Sequence, residues 1–298
     1  MPITSFTAGT KPLATDVNAN FSLVTPEGIF GDGSDGALTF NGSSTILGMV
    51  PSSNTYTMTR DIYGTTITVN SGVKIITAGW RIFASVSLNN AGTIHNNGGA
   101  GVASTNGTAQ PTGFFKKGEN GLAVAAGTSF SVGGNGGNGG SQLSPGVING
   151  GLAGAVPANC GGWRHIPMAF TLRTIDAAGT SRVFEGGAGG SAGTAEGGSG
   201  LGGGAGAGGG ILAIIAKSIT NTGTISANGG NGENGANATG TGRRGGGGGG
   251  GGGAVILVYM EIPTVGTVTA NGGNGGTATV GASAGTAGAA GTVLQIKV

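Results

Sequence analysis

Residues 211–230 read ILAIIAKSITNTGTISANGG, and residues 254–273 read AVILVYMEIPTVGTVTANGG. Each begins with an apolar run, passes through Gly-Thr-(Ile/Val), and opens at Asn-Gly-Gly into a long glycine-rich tract. An earlier copy, residues 81–99, reads RIFASVSLNNAGTIHNNGG. The motif Gly-Thr-(Ile/Val)-x-x-Asn-Gly-Gly keeps its spacing in all three, from Gly92 to Gly99, from Gly223 to Gly230 and from Gly266 to Gly273. An interrupted repeat of this kind points to a layered or bundled structure made of similar units, not to a single enzyme core.

Composition narrows the choice. Glycine accounts for 72 of 298 residues, charged residues for 8% and aromatics for 5%. So little charge argues against a solvated disordered chain. Nine prolines and the lack of a sustained Gly-X-Y register argue against collagen. The net charge of +2 is spread thinly, and Lys116-Lys117 and Arg243-Arg244 are the only basic doublets. A nucleic-acid partner needs a denser basic footprint. Arg243-Arg244, before a run of glycines, has an RGG-like reading that the thin charge outweighs. Cys160 is alone, which excludes an intrachain disulfide and a thiolate metal cluster. The first ten residues lack the basic and apolar regions of a secretory signal. The apolar runs 211–216 and 254–260 are too short for a membrane helix. These features suggest synthesis in a cytosol and no membrane insertion.

Along the chain, Thr15 is a candidate N-cap for a short helix with Val17, Phe21 and Val24 on one face. Residues 26–99 read as short Thr-rich and β-branched strands separated by turns such as Asn41-Gly42. Asp32 and Asp35 could approach a Ca²⁺ ion, but the fuller ligand set of a calcium loop is missing and a solvated turn explains them better. Five tracts of Gly, Ala, Asn, Ser and Thr follow, at 98–113, 133–140, 186–210, 229–253 and 272–291. Ordering glycine costs roughly 1–2 kcal/mol of backbone entropy per residue, and it has no side chain to bury. Gly-Gly-x triplets such as 133–140 suit left-handed threefold helices that pair through backbone groups, with the third residue facing outward or lining a seam. The expected fold class is therefore mainly β. It comprises a short N-terminal helix in an attachment segment (1–25), a β-rich domain (26–99), and a polyglycine-II-like bundle interleaved with short strands (100–298). The cassettes at 211–230 and 254–273 lie in the last of these.

The stretch 6–21, FTAGTKPLATDVNANF, resembles the opening of tailed-phage fibre and other virion appendage proteins. The stretch 28–99, with GDGSDGALTFNGSST, YTMTRDIY and ITVNSGVKIITAGWRIF, resembles the β-rich leader of phage structural proteins that carry glycine-rich tails. The tracts themselves resemble, in composition and motif, the glycine-rich distal adhesins of phage long tail fibres, although the order of segments differs. The resemblance implies a virion protein with other virion proteins as partners. It also implies a host-surface polysaccharide or outer-membrane protein as target, with recognition loops between the glycine tracts. The matching positions are 116–120, 160–165 and 234–244, which hold Lys116, Lys117, Trp163, Arg164, His165, Arg243 and Arg244. Ordinary connectors are the competing reading of these loops.

Catalytic motifs are weak. The glycines at 202–209 satisfy a dinucleotide fingerprint loosely, but neither the strand before it nor the helix after it is present in the pattern. No phosphate loop occurs. His95 occupies the repeat position of Ser226 and Thr269, which makes it a repeat-surface residue. His165 and Trp163 could stack on a sugar ring or pack on an apolar segment. Asp176, Glu185, Glu196, Glu233 and Glu261 are scattered singly, so the paired carboxylates of a depolymerase would have to converge through folding or between subunits. No cofactor and no enzymatic activity are expected. Stacking of identical cassettes from several subunits suggests a homotrimer. The best account is a structural component of a tailed-phage particle, with an ice-binding protein or a bacterial glycine-rich surface protein as the alternatives.

Overall fold

The computed structural model describes residues 26–110, 113–115, 120–121, 137, 174–175, 181–182, 187–195, 202–237 and 242–298. The β-branched runs do form strands, and the chain winds them into successive coils. The first coil carries β1 (Gly36–Phe40) and β2 (Thr55–Thr57), the second β3 (Ile62–Val69) and β4 (Lys74–Ile76), and the third β5 (Arg81–Asn90) and β6 (Thr93–His95). Two short strands, β7 (Thr174–Ile175) and β8 (Ser181–Arg182), then pair antiparallel. The next coil carries β9 (Ile211–Asn221) and β10 (Thr224–Ser226). The one after it carries β11 (Ala254–Tyr259), β12 (Glu261–Thr264) and β13 (Thr267–Thr269), and β14 (Thr292–Lys297) opens the last.

Coiling produces two parallel sheets. One has the order β1-β3-β5-β9-β11-β14, with β12 also on β9, and the other has the order β13-β10-β6-β4-β2. Parallel neighbours need long connections, and the glycine tracts supply them. Register aligns the cassettes. Ile82 lies opposite Ile214, and Ile214 opposite Leu257. In the second sheet Tyr56, Ile75, Ile94, Ile225 and Val268 form one column across five strands. The inward members of both sheets make the main core, in which Tyr56, Ile67, Ile75, Leu88, Ile94 and Ile225 are fully buried. The outer face of the first sheet is covered separately. There Ile211, Ala213, Ile215, Ile256 and Val258 pack with Phe30 and Phe115.

The glycine tracts leave the second sheet and come back to the first as paired legs. Outgoing legs (96–101, 227–235, 270–277) lie side by side, with Gly98 N–H donating to Asn228 O, Gly229 N–H to Asn271 O and Gly232 N–H to Asn274 O. Return legs (202–210, 245–253, 285–291) do the same, with Gly203, Gly206 and Gly209 donating to Gly245, Gly248 and Gly251. A further leg at 187–194 closes a triangle. Gly187 and Gly190 donate to Gly209 and Gly206, while Gly251 and Gly248 donate to Ala188 and Ser191. The bonding repeats every third residue, where a sheet repeats every second. Each such bond contributes about 1 kcal/mol net. Ordering one residue costs roughly 1–2 kcal/mol. The legs are therefore held by their anchorage in the strand core as much as by their own bonds.

The expected fold class is corrected. The described chain is mainly β, but a β-rich part followed by a polyglycine-II-like bundle with interleaved strands is not what forms. Strands from both halves join in the same two parallel sheets, with β5 pairing directly with β9, and the glycine tracts are the connections of that coil. The reason is register. The apolar columns of the early and late cassettes come into register on either side of one irregularity between Ala84 and Ser87, and bury each other. The expected short N-terminal helix falls on 1–25, outside the described residues. The helical turns among the described residues are 3-10 turns at Pro26–Phe30 and Gly235–Asn237.

Candidate functional site

The repeat motif has a direct structural translation. Its first glycine forms the corner between long and short strand, where a side chain on Gly223 would run into the carbonyl oxygen of Gly92. At the same corner Asn90 Nδ2 donates to Asn221 Oδ1 at 2.7 Å, and Asn221 Nδ2 donates to the Val265 carbonyl at 2.5 Å. Next in the motif, Thr93, Thr224 and Thr267 lie opposite one another on the short strands, and the Ile or Val after each points into the core. The closing Asn-Gly-Gly then starts the outgoing leg. Its first glycine bonds to the neighbouring coil, and its second turns inward to the return leg, as when Gly230 N–H donates to Ala207 O and Gly273 N–H to Gly250 O at 2.8 Å.

The asparagines of these triplets form a second, surface ladder. Asn97 Oδ1 accepts the Asn228 N–H at 2.7 Å. Asn228, Asn231 and Asn234 in turn accept the N–H groups of Asn271, Asn274 and Thr277, each at 2.8 Å. Each Oδ1 is thus engaged by the following coil, which fixes the plane of the amide and leaves the Nδ2 group directed away from that bond. Asn231, Asn234, Asn271, Asn274 and Thr277 are exposed. Together with the threonines of β10 and β13 they make one ordered strip of amides and hydroxyls.

The strip is electrically quiet. His95, at its edge, titrates below its ordinary value because it is largely buried and because Lys74 lies near, so it is neutral at pH 7. Lys74 itself sits one coil away, opposite Thr93. What such a surface can do chemically is donate and accept hydrogen bonds at fixed positions.

Elsewhere the polar groups are committed to structure. Glu233 is buried, and its carboxylate accepts the N–H groups of Ala103, Ser104 and Gly204 at 2.6, 2.7 and 2.9 Å, clasping three segments together. Ala103 and Ser104 have φ of +50° and +62°, so the clasp also holds an unfavourable turn. Asp35 pairs with Arg60 at 2.6 Å and accepts the Tyr63 N–H. Burial pushes its carboxyl up, but those bonds outweigh burial and hold it below the ordinary range. Asp32, held low by the Ser34 N–H, caps its own turn. These bonds commit both carboxylates to the fold, and among the described residues no group of three or more His, Cys, Asp or Glu side chains is placed to hold a metal ion. Asp61 pairs with Arg81 at 2.5 Å, and the Arg81 guanidinium lies 3.6 Å from the ring centre of Phe114.

Of the residues expected to contact a receptor, Arg243 and Arg244 are described. Arg243 is exposed beside Gly281. Arg244 is half-buried and donates its N–H to Thr279 Oγ1 at 2.7 Å. Lys116, Lys117, Trp163, Arg164 and His165 lie outside the described residues. The asparagine ladder and the Glu233 clasp were missed by reading the sequence. For the ladder a signal existed in the constant Asn of the repeat. For Glu233, a lone acid in a glycine tract, there was none. Comparison with protein-family models, with characterised proteins and with solved structures finds no match to this chain.

Proposed function

We propose that this chain is a non-enzymatic structural component of a tailed-phage particle, a fibre, spike or decoration protein, that presents an ordered polar face to the host surface. The observation that carries the reading is the asparagine ladder. It ties coil to coil while turning a regular polar face outward, which suits a protein that displays a surface and does not enclose a substrate. The resemblance of 6–21 to virion appendage openings supports the same reading, with that segment as the attachment point and other virion proteins as its partners. Stacking of identical cassettes from several subunits favours a homo-oligomer, and a trimer matches the appendage reading.

The test is composition of purified particles. Gradient-purified virions from a host carrying the gene should contain the chain in fixed proportion to the capsid protein, and deletion of 1–25 should remove it from particles while the coil still folds. A chain found only in the soluble lysate would sink the proposal. Light scattering should return about three times 28.1 kDa. A second reading, ice binding, draws on the regular spacing of the same strip. Thermal hysteresis in dilute solution would favour it.

A further inference from the structure

We infer that the strip formed by the outgoing legs is a binding site for a linear, neutral polysaccharide lying along the legs. The inference rests on the virion reading and names its target class. Three features of the strip point to that ligand. First, its donors are preset. The Oδ1 atoms of Asn228, Asn231 and Asn234 are held by the next coil at 2.8 Å, and their Nδ2 groups make no hydrogen bond to another described residue. A ligand hydroxyl or ring oxygen meets an oriented N–H without having to order a side chain, which removes a main cost of binding.

Second, the donors form a lattice. Neighbouring coils are spaced at about 4.8 Å, and successive asparagines on one leg are three residues apart, at most ~10 Å. Threonines at 224, 267 and 277 add hydroxyls that both donate and accept. A polymer of repeated hydroxyl groups can match such an array at several points, which a compact ligand cannot. Third, the strip exposes neither cation nor carboxylate among its described residues, since Glu233, on the same leg, is buried with its carboxylate turned to the N–H groups of Ala103, Ser104 and Gly204. Lys74 borders one end and Arg243 lies near the leg tips. An acidic glycan would find no counter-charge along the strip, whereas a neutral one leaves no charge buried without a partner. With no aromatic platform on the strip, each contact is weak, and useful strength comes from the number of contacts and from several copies acting together.

The test uses the full chain against immobilised, purified linear bacterial polysaccharides, one set neutral and one containing uronic acids, followed by biolayer interferometry. The decisive variant is Asn228→Asp with Asn231→Asp and Asn234→Asp. Aspartate keeps the oxygen that the ladder needs and replaces the outward donor with an acceptor. A charge-matched control places aspartate at Val50, Val86 and Val280, which are exposed. A second variant, Asn271→Ala with Asn274→Ala, removes donors from the last leg, whose side-chain oxygens receive no described residue. Retention of neutral glycans by the parent and the control, with a loss of tenfold or more in both asparagine variants at unchanged melting temperature, is the expected result. No retention, equal retention by the asparagine variants, preference for the acidic set, or thermal hysteresis without glycan retention would each overturn it. A chain found in particles but blind to neutral glycans defeats this inference alone. Glycan retention by a chain absent from particles defeats the virion reading alone.

Discussion

A methyl group added at Gly230 would meet the carbonyl oxygen of Gly99, with the Ala100 nitrogen 2.9 Å away. These are backbone atoms of a neighbouring leg and cannot swing aside. Gly230→Ala should therefore cost more than about 2 kcal/mol, at the upper end of overpacking effects, read as a shift in the urea midpoint. Gly72 is the useful contrast, since its φ is +78° but nothing lies within 4 Å of a Cβ there. Gly72→Ala should cost about 1–2 kcal/mol, from backbone strain alone. Glu233→Ala strips three N–H groups of their charged acceptor, and bonds to charged groups are worth about 1.5–3 kcal/mol each before the surroundings relax. A loss of at least ~3 kcal/mol is expected in the same assay. His95 predicts a pH dependence. Its folded form resists the proton that the unfolded chain takes up near pH 6.5, so stability is full above that pH and falls as the pH drops below it. The slope is limited to about 1.4 kcal/mol per pH unit. His95→Gln should flatten the melting temperature between pH 7 and pH 5. That His95 shares a repeat position with Ser226 was readable from the motif, and the register sets the two opposite each other. The burial of His95 was not readable, because nothing local in GTIH reveals the neighbouring coil.

Strands and legs depend on each other. Ile225 is fully buried between Ile94 and Val268, and truncation to alanine should cost about 2–5 kcal/mol. Because the legs are anchored in that core, the loss should also appear as faster hydrogen exchange in the glycine amides of 229–235. Loosening confined to the strands would show that the legs stand alone. The strand cores at 211–221 and 254–259 were legible from their apolar, β-branched runs, and so was the repeat that aligns them with β5. What each glycine faces was not legible, since a residue without a side chain gives no periodicity to read. The constant asparagine of Asn-Gly-Gly looks like a turn residue in sequence, and its role as a bridge emerges only once coils are stacked.

Across the whole molecule, the decisive pairing is β5 against β9, with the first glycine tracts between them in sequence. Reading the chain in order separates a β-rich beginning from a glycine-rich end, and long-range register is the information that this reading lacks. The amides of Gly206 and Gly248, which bond laterally between legs, should exchange on the timescale of the β9 amides if the described structure is one cooperative unit. Exchange at the rate of free coil would contradict it. The three-residue bonding period also limits how the gene can change length. A nine-base insertion in an outgoing leg adds one Asn-Gly-Gly and one further row to the face. It keeps the neighbouring rows in phase only if the return leg lengthens by the same triplet. Viable length variants of this chain should therefore arise as paired steps of three codons, and frame-preserving insertions of one or two codons within a leg should be lost.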